Sequence, residues 1–153
     1  MATKVSNNSS KHRVARRALP NIRITGTPGV GKSTLCEALV DVAHSNNNNN
    51  TSLKLHHVKV NDVIKQHALY TDRDQQRGDC LIVDDDMLIE HLGPTLVHNN
   101  SNSNSSSNNR GGYLIDTHLC DCWPAQWIDL VVVLRCDNTV LYDRLEHRYD
   151  IPT

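Results

Sequence analysis

The sequence has no phenylalanine, and aromatic residues make up only 4% of its 153 positions. The core is therefore expected to consist of Leu, Val and Ile side chains. No apolar run approaches the roughly 20 residues that span a bilayer, and the N-terminus lacks the apolar stretch of a secretory signal. A formal net charge of −1 gives the whole chain no bias toward nucleic acid or membrane surfaces. The five cysteines are an odd number, which favours free thiols over a disulfide framework.

The length fits one domain, which we assign to residues 19–153. Residues 1–18 carry five basic side chains and no acidic one, which predicts a basic flexible extension. Three interpretations of this extension stay open: a solvated tail, a nuclear-targeting or RNA-contacting cluster, and a mitochondrial presequence. Residues 45–51 and 99–109 are almost entirely Asn and Ser, with a Thr at position 51. They are predicted to be loop insertions outside the fold, whose deletion changes stability little.

Between these tracts, strand patterns alternate with helix patterns. Strands are predicted at 21–25, 53–58, 113–116 and 130–134, and helices at 33–44, 60–69, 85–97 and 139–147. Such alternation indicates an α/β three-layer fold with a parallel sheet. The first helix is predicted to bury Leu35, Ala38, Leu39 and Val42. The run 130–134 is apolar at every position, which predicts a strand covered on both faces.

The segment from Gly26 to Ser33 matches the Walker A pattern Gly-x-x-x-x-Gly-Lys-Ser. Its glycines let successive backbone N–H groups point at one anion, and the helix that follows favours negative charge at its N-terminus. Lys32 can reach the β- and γ-phosphates of a nucleoside triphosphate, and the Ser33 hydroxyl can bind Mg²⁺. The predicted ligand is Mg-ATP.

Asp116 ends a predicted strand, as the carboxylate that supports Mg²⁺ in P-loop proteins does. A structural role in capping a turn is the alternative. His118 lies two residues further on and could approach the phosphates, although single histidines are more often structural. The run from His118 to Cys122 also raises zinc, with Cys80 as a further ligand, but its spacing is poor for a structural zinc site.

Together these motifs resemble the adenylate kinase isoenzyme 6 family over about residues 19–148, with the two Asn-rich tracts as insertions. The matching segments are Leu19-Pro20-Asn21-Ile22, Thr25 to Leu35, Leu69-Tyr70, Asp79-Cys80, Ile82 with Asp84, Ile115-Asp116-Thr117-His118, Cys120-Asp121, Pro124 with Trp127, Val133-Leu134-Arg135 and Val140 to Glu146. The resemblance implies a P-loop sandwich of the adenylate kinase type that transfers the γ-phosphoryl group of ATP to AMP, with ATPase activity alongside. It also implies Mg²⁺ with ATP, a role in 18S rRNA maturation, a small-subunit ribosomal protein or pre-ribosome as partner, and location in the nucleus and cytoplasm.

The resemblance also assigns residues by position. ATP would be bound by Gly26, Gly29, Val30, Gly31, Lys32, Ser33, Thr34 and Arg148. The AMP site would lie within residues 59–83 and include Asn61, Asp62 and Lys65. Lys32, Asp116 and His118 would serve catalysis, and Ser33 and Asp116 would hold Mg²⁺.

The sequence departs from the family in two regions. Asn61 replaces a Gly, and Lys65 replaces an Arg, which removes a two-pronged phosphate contact. After Arg148 the sequence lacks the family's remaining lid, last strand and last helix. We therefore expect weak kinase activity or none. We also expect an unpaired sheet edge at 130–134 that leaves the chain marginally stable, prone to self-association or dependent on a partner. The alternatives are a catalytically impaired nucleotide-binding assembly factor, an RNA-contacting assembly factor, or a partial gene product.

Overall fold

The structure, a computed structural model, describes residues 19–45, 54–97, 112–119 and 121–149. The basic extension, nearly all of the two Asn-rich tracts, Cys120 and residues 150–153 lie outside these ranges, so the expectations about them stay predictions. No helix within the described ranges is long and apolar enough to cross a membrane.

The predicted alternation of strands and helices is confirmed. In chain order the elements are β1 (Ile22–Thr25), α1 (Lys32–Ser45), β2 (Leu55–Lys59), α2 (Val60–His67), β3 (Tyr70–Asp74), β4 (Cys80–Val83), α3 (Asp85–Val97), β5 (Gly112–Asp116), β6 (Leu130–Val133) and α4 (Asn138–Tyr149). Strands β2, β5, β1 and β6 form a parallel sheet in that order. The P-loop α/β fold is therefore confirmed, and the carboxyl ends of the four strands lie at one edge, where ligands of such sheets bind.

Apolar side chains cover the sheet unequally on its two faces. The face toward α2 and α3 carries a large core: Val60, Ile64, Leu69, Leu88, Leu92, Leu96, Tyr113, Ile115, Trp123 and Trp127. Among the described residues, the core cluster on the face toward α1 has three buried members, Ile24, Cys36 and Leu114. The expectation of a core made of Leu, Val and Ile is thus incomplete, because both tryptophans are buried in the larger core. Two large rings fill space that would otherwise need several aliphatic side chains.

The side chain of Asn21 joins three distant parts of the chain. It is fully buried, and its amide nitrogen donates to the carbonyl oxygens of Leu96 at 3.2 Å and Trp127 at 3.0 Å. Its side-chain oxygen accepts from the backbone N–H of Tyr113 at 3.3 Å. The polar atoms of this side chain are therefore satisfied by backbone, as a buried amide requires.

The prediction for the buried face of α1 is wrong for Ala38, Leu39 and Val42, which are exposed. It is correct for Leu35, which is partly buried against the smaller core cluster. Cys36 and Ala43 are buried and Val40 is partly buried, whereas Leu39 is 37% exposed and Val42 57% exposed. The stripe at 36, 40 and 43 follows the i, i+4, i+7 spacing of one helical face. Its side chains are smaller than leucine, so the helix can lie close to the strands.

The prediction that strand 130–134 is covered on both faces is also wrong. β6 pairs with β1 in parallel register and no other described strand pairs with it, which agrees with the predicted unpaired edge. Leu130, Val131 and Val133 are 52%, 43% and 63% exposed. Within the described ranges, β6 is therefore an edge strand with apolar side chains in solvent.

The hairpin of β3 and β4 was not predicted from the sequence. The two strands pair antiparallel outside the parallel sheet, with a short 3-10 turn at Gln75–Arg77 between them. Most of the β3 side chains are exposed and polar, so no apolar alternation marks this strand. A cross-strand ion pair, Arg73 Nη1 to Asp79 Oδ2 at 2.6 Å, lies at its turn end.

Candidate functional site

The segment between β1 and α1 forms a loop at the carboxyl edge of the sheet. Gly26, Gly29 and Gly31 have φ angles of 141°, 90° and 97°, which favour glycine over residues with a side chain. A Cβ atom at Gly26 would lie 2.5 Å from the carbonyl oxygen of Leu134, whereas one at Gly31 would meet no atom within 4 Å. The loop is thus packed at its base and open beside the helix start.

Helix α1 begins at Lys32, directly after this loop. The backbone N–H of Leu35 donates to Gly31 O at 3.0 Å, so the N–H groups of the preceding turn have no carbonyl acceptor within the helix. The Lys32 ammonium folds across the loop and donates to Gly26 O at 2.8 Å and Thr27 O at 3.1 Å. Free N–H groups, the helix dipole and a lysine charge converge here, which is the arrangement that binds phosphate.

Opposing charges surround the Lys32 ammonium. Its partial burial lowers its pKa, the negative charge of Asp116 works against that decrease, and the positive charge of Arg148 adds to it. An anion placed at the loop would offset both effects that lower this pKa. A phosphate at the loop would therefore favour the charged form of Lys32.

Asp116, at the end of β5, is 8% exposed and accepts a hydrogen bond from Ser33 Oγ at 2.5 Å. This contact joins the start of α1 to the end of the neighbouring strand. A serine hydroxyl beside a strand-end carboxylate is the donor set that holds Mg²⁺ in P-loop proteins. The residues present thus fit Mg²⁺ with a nucleoside triphosphate.

The loop opens into a cleft of about 1290 Å³. Its walls contain five cationic side chains and two carboxylates: Lys32, Lys59, Lys65, Arg144, Arg148, Asp62 and Asp116. Every site residue named from the sequence lines this cleft except Gly26, which lies beneath the Lys32 ammonium: Gly29, Val30, Gly31, Ser33, Thr34, Asn61, Asp62, Lys65, Asp116, His118 and Arg148. The structure therefore brings them together, while the role of each stays a prediction.

Sequence reasoning missed three residues in or near the site. Cys36 and His57 place ligand atoms within 4.8 Å of Asp116 and of each other. Arg144 also lines the cleft and donates to Gly29 O at 3.4 Å. The register of β2 against β5 could have suggested His57, because it precedes the strand end that pairs with Asp116.

The zinc interpretation of residues 118–122 gains no support. The described cysteines, Cys36, Cys80, Cys122 and Cys136, are free thiols, as expected. The group of potential metal ligands found in the described ranges contains neither His118, Cys122 nor Cys80. Burial, followed by the negative charges of Asp116 and Glu37, raises the pKa of the Cys36 thiol to about 12.

Comparisons with known proteins agree with this geometry. The family described as AAA domain matches residues 22–152. The adenylate kinase isoenzyme 6 homolog HBR1 of Candida albicans is 38% identical over 88% of this chain and 49% of its own. The homolog FAP7 of Saccharomyces cerevisiae is 39% identical over 88% and 57%. A homolog of Plasmodium falciparum is 32% identical over 87% and 68%.

Among solved structures, a gluconokinase from Sinorhizobium meliloti aligns with a TM-score of 0.45 at 20% identity, over 90% of this chain and 70% of its own. This chain spans about half to two thirds of the length of the curated relatives named above. The phosphate loop and the Ser33–Asp116 pair agree with the match to the AAA domain family and with the similarity to the adenylate kinase isoenzyme 6 homologs. The chain is a P-loop nucleotide kinase-like protein that belongs to the adenylate kinase isoenzyme 6 family.

Proposed function

We propose that this chain binds Mg-ATP at the loop Gly26 to Ser33 and transfers its γ-phosphoryl group to AMP, with ATP hydrolysis as a second activity. The carrying observation is that two candidate phosphate sites face one cleft. The loop with Lys32 lines this cleft, and so do Asn61, Asp62 and Lys65 of α2. The cleft volume exceeds the roughly 300–1,000 Å³ typical of a pocket for one small ligand.

In this proposal, each residue acts through charge and position. Lys32 would neutralise the β- and γ-phosphates, and Ser33 with Asp116 would hold Mg²⁺, which would supply further positive charge at the phosphates. Arg148 and Arg144, from α4, contribute positive charge on the donor side, and exposed His118 stands at the end of β5 within reach of the cleft. Such a site accelerates phosphoryl transfer by holding the two phosphates in line and offsetting the charge that develops between them.

The proposed AMP-binding side of the cleft offers weaker phosphate contacts than the proposed ATP-binding side. Lys65 supplies a point charge where a guanidinium would bind phosphate with two parallel hydrogen bonds. The side chain of Asn61 occupies a position at the start of α2 beside the cleft. We therefore propose that AMP binds more weakly than ATP, with a raised KM for AMP.

The test is an assay of ADP formation from Mg-ATP with and without AMP. We expect AMP to accelerate ADP formation, and Lys65→Ala to raise KM for AMP at least about tenfold, as expected from the loss of a charged hydrogen bond. The matched control is Lys54→Ala, which removes an exposed lysine outside the cleft. Hydrolysis of ATP that is indifferent to AMP would identify an ATPase, and binding without turnover would identify a nucleotide-binding module.

A catalytically impaired assembly factor is the second candidate function. It is favoured by the exposed apolar side chains of β6, which a partner protein could cover. We propose a small-subunit ribosomal protein or the pre-ribosome as that partner, RNA contact through the basic residues 1–18, and action in the nucleus and cytoplasm. Salt-dependent binding of 18S precursor RNA that is lost on deleting residues 1–18 would support the RNA contact.

A further inference from the structure

We propose that Cys36, His57 and Asp116 form a binding site for a borderline divalent cation, with Zn²⁺ as the expected ion, behind the phosphate loop. One ligand atom from each side chain lies within 4.8 Å of the other two. Thiolate, imidazole and carboxylate are the ligands that Zn²⁺ uses in proteins. The site is distinct from the hard-oxygen site formed by Ser33, although both use Asp116.

The fold places these three side chains on one face of the sheet. In the register of β2 with β5, His57 lies opposite Leu114 and Lys59 opposite Asp116. His57 and Asp116 are therefore diagonal neighbours whose side chains point to the same side. Leu114 packs with Cys36 in the core cluster beneath α1. The thiol of Cys36 therefore lies on the same face of the sheet as His57 and Asp116.

The separations are close to those of a coordinated ion. Zinc bonds of about 2.0–2.3 Å in a tetrahedron put ligand atoms roughly 3.3–3.8 Å apart. His57 Nε2 lies 3.5 Å from Asp116 Oδ2. The third vertex, the Cys36 sulfur, lies within the 4.8 Å limit. Side-chain adjustments of about an ångström or less would complete three of the four positions.

The imidazole of His57 supplies an independent indication. Its Nε2 atom is buried and makes no hydrogen bond within the described part of the chain, and it faces Asp116 Oδ2. An unsatisfied buried polar atom costs about 1–3 kcal/mol, so such atoms commonly point to an ion or a water. A cation between His57 and Asp116 would satisfy this nitrogen and the carboxylate together.

The shared carboxylate makes the two sites antagonistic. The oxygen that faces His57, Asp116 Oδ2, is the one that accepts the hydrogen bond from Ser33 Oγ. A cation held by Cys36 and His57 would also bind this oxygen. The oxygen would then be less available to Ser33 and to the Mg²⁺ that Ser33 and Asp116 are proposed to hold. Zn²⁺ and Mg-ATP should therefore lower each other's affinity, because such coupling is reciprocal. This last consequence rests on the proposed function, whereas the metal site itself does not.

The experiment uses Co²⁺ as a spectroscopic probe on the full chain without nucleotide. We expect one equivalent to produce the sulfur-to-cobalt charge-transfer band and visible bands of a tetrahedral site, both erased by Zn²⁺. Cys36→Ser should abolish the charge-transfer band, while the matched control Cys136→Ser, a thiol outside the cluster, should retain it. A folded Cys36→Ser protein that keeps the band, or a wild type that shows none, overturns the proposal.

A second variant covers the case in which Cys36→Ser fails to fold. His57→Gln should weaken Co²⁺ binding at least about tenfold, since even outer-shell changes at metal sites cost 10–100-fold. An unchanged Co²⁺ affinity in His57→Gln overturns the proposal. Mg-ATP should then displace bound Co²⁺, and bands that persist with saturating Mg-ATP refute the shared carboxylate. If calorimetry detects no Mg-ATP binding, the proposed function fails, while the cobalt spectra still decide the metal site.

Discussion

The two faces of the parallel sheet differ in what their side chains do. Toward α2 and α3 the sheet buries a cluster of ten residues, while toward α1 it buries three. The face toward α1, which has the smaller core, also carries Asp116, His57 and the start of α1. These groups are polar or ionisable. We infer that stability comes chiefly from the first face, and that the chemistry of the phosphate loop and the metal comes from the second. Substitutions that separate stability from binding can test this division.

The largest effect should come from truncating the well-covered face. Leu88 is fully buried in the ten-residue cluster, and Leu88→Ala should reduce the free energy of unfolding by about 2–5 kcal/mol. That is a large part of the roughly 5–15 kcal/mol available to a small domain. Leu39→Ala on α1, where the side chain is 37% exposed, is the matched control and should cost much less. Equal costs in urea unfolding would contradict the proposed division.

Lys32→Ala should have the next largest effect, on binding and not on stability. The ammonium donates to loop carbonyls and takes no part in either core cluster. Removing it should weaken Mg-ATP binding by about 1.5–3 kcal/mol or more, the worth of a charged hydrogen bond. Calorimetry measures this loss against Lys54→Ala, and a melting temperature close to that of the wild type should accompany it. Equal ATP affinity in Lys32→Ala and the wild type would contradict the assignment of this loop to the ATP-binding site.

Asp116→Asn should have a smaller effect that depends on the metal. The amide keeps the shape of the carboxylate but loses the charge that supports Mg²⁺, so turnover should fall about 10–100-fold. Nucleotide binding measured without Mg²⁺ should change little. Asp41→Asn, on the exposed side of α1, is the control. Should the dependence of turnover on Mg²⁺ be identical in Asp116→Asn and the wild type, Asp116 has another role.

The smallest effect on stability is expected at the edge strand. Val133 on β6 is 63% exposed, so Val133→Lys should change the free energy of unfolding by no more than about 0.5 kcal/mol. It should nevertheless reduce self-association, because a charge on an edge strand opposes pairing with another copy. Val42→Lys, 57% exposed on α1, distinguishes edge pairing from general apolar contact. Sedimentation showing a monomeric wild type, with or without Mg-ATP, would contradict the prediction of self-association.

The fold class followed from the sequence because alternating strand and helix patterns have few solutions in an α/β domain. The loop was equally predictable, since Gly26, Gly31, Lys32 and Ser33 have a fixed spacing. Helix faces were not, because periodicity finds an apolar stripe without showing which stripe meets the sheet. In α1 the small Cys36 and Ala43 took the buried positions that Leu39 and Val42 were expected to take.

Other features depend on contacts that only the fold provides. The exposure of β6 results from its position at the edge of the described sheet. The apolar run alone does not encode that position, which was predicted only from the family resemblance. The cluster of Cys36, His57 and Asp116 joins three elements separated along the chain. No local spacing in the sequence indicates this cluster, and the sequence analysis predicted Asp116 as a metal ligand but neither Cys36 nor His57.

The buried amide of Asn21 sets how this structure should open. Its side chain holds the end of α3 through Leu96, the start of β5 through Tyr113, and the turn at Ala125–Trp127 through Trp127. None of these three segments can move away without leaving a polar atom of that amide unsatisfied in the interior. They should therefore exchange their amide hydrogens as one cooperative unit, while the edge strand β6 loosens at lower cost. The side chain of Asn21 thus makes these three segments, at the amino-terminal end of the sheet, open together and not one by one.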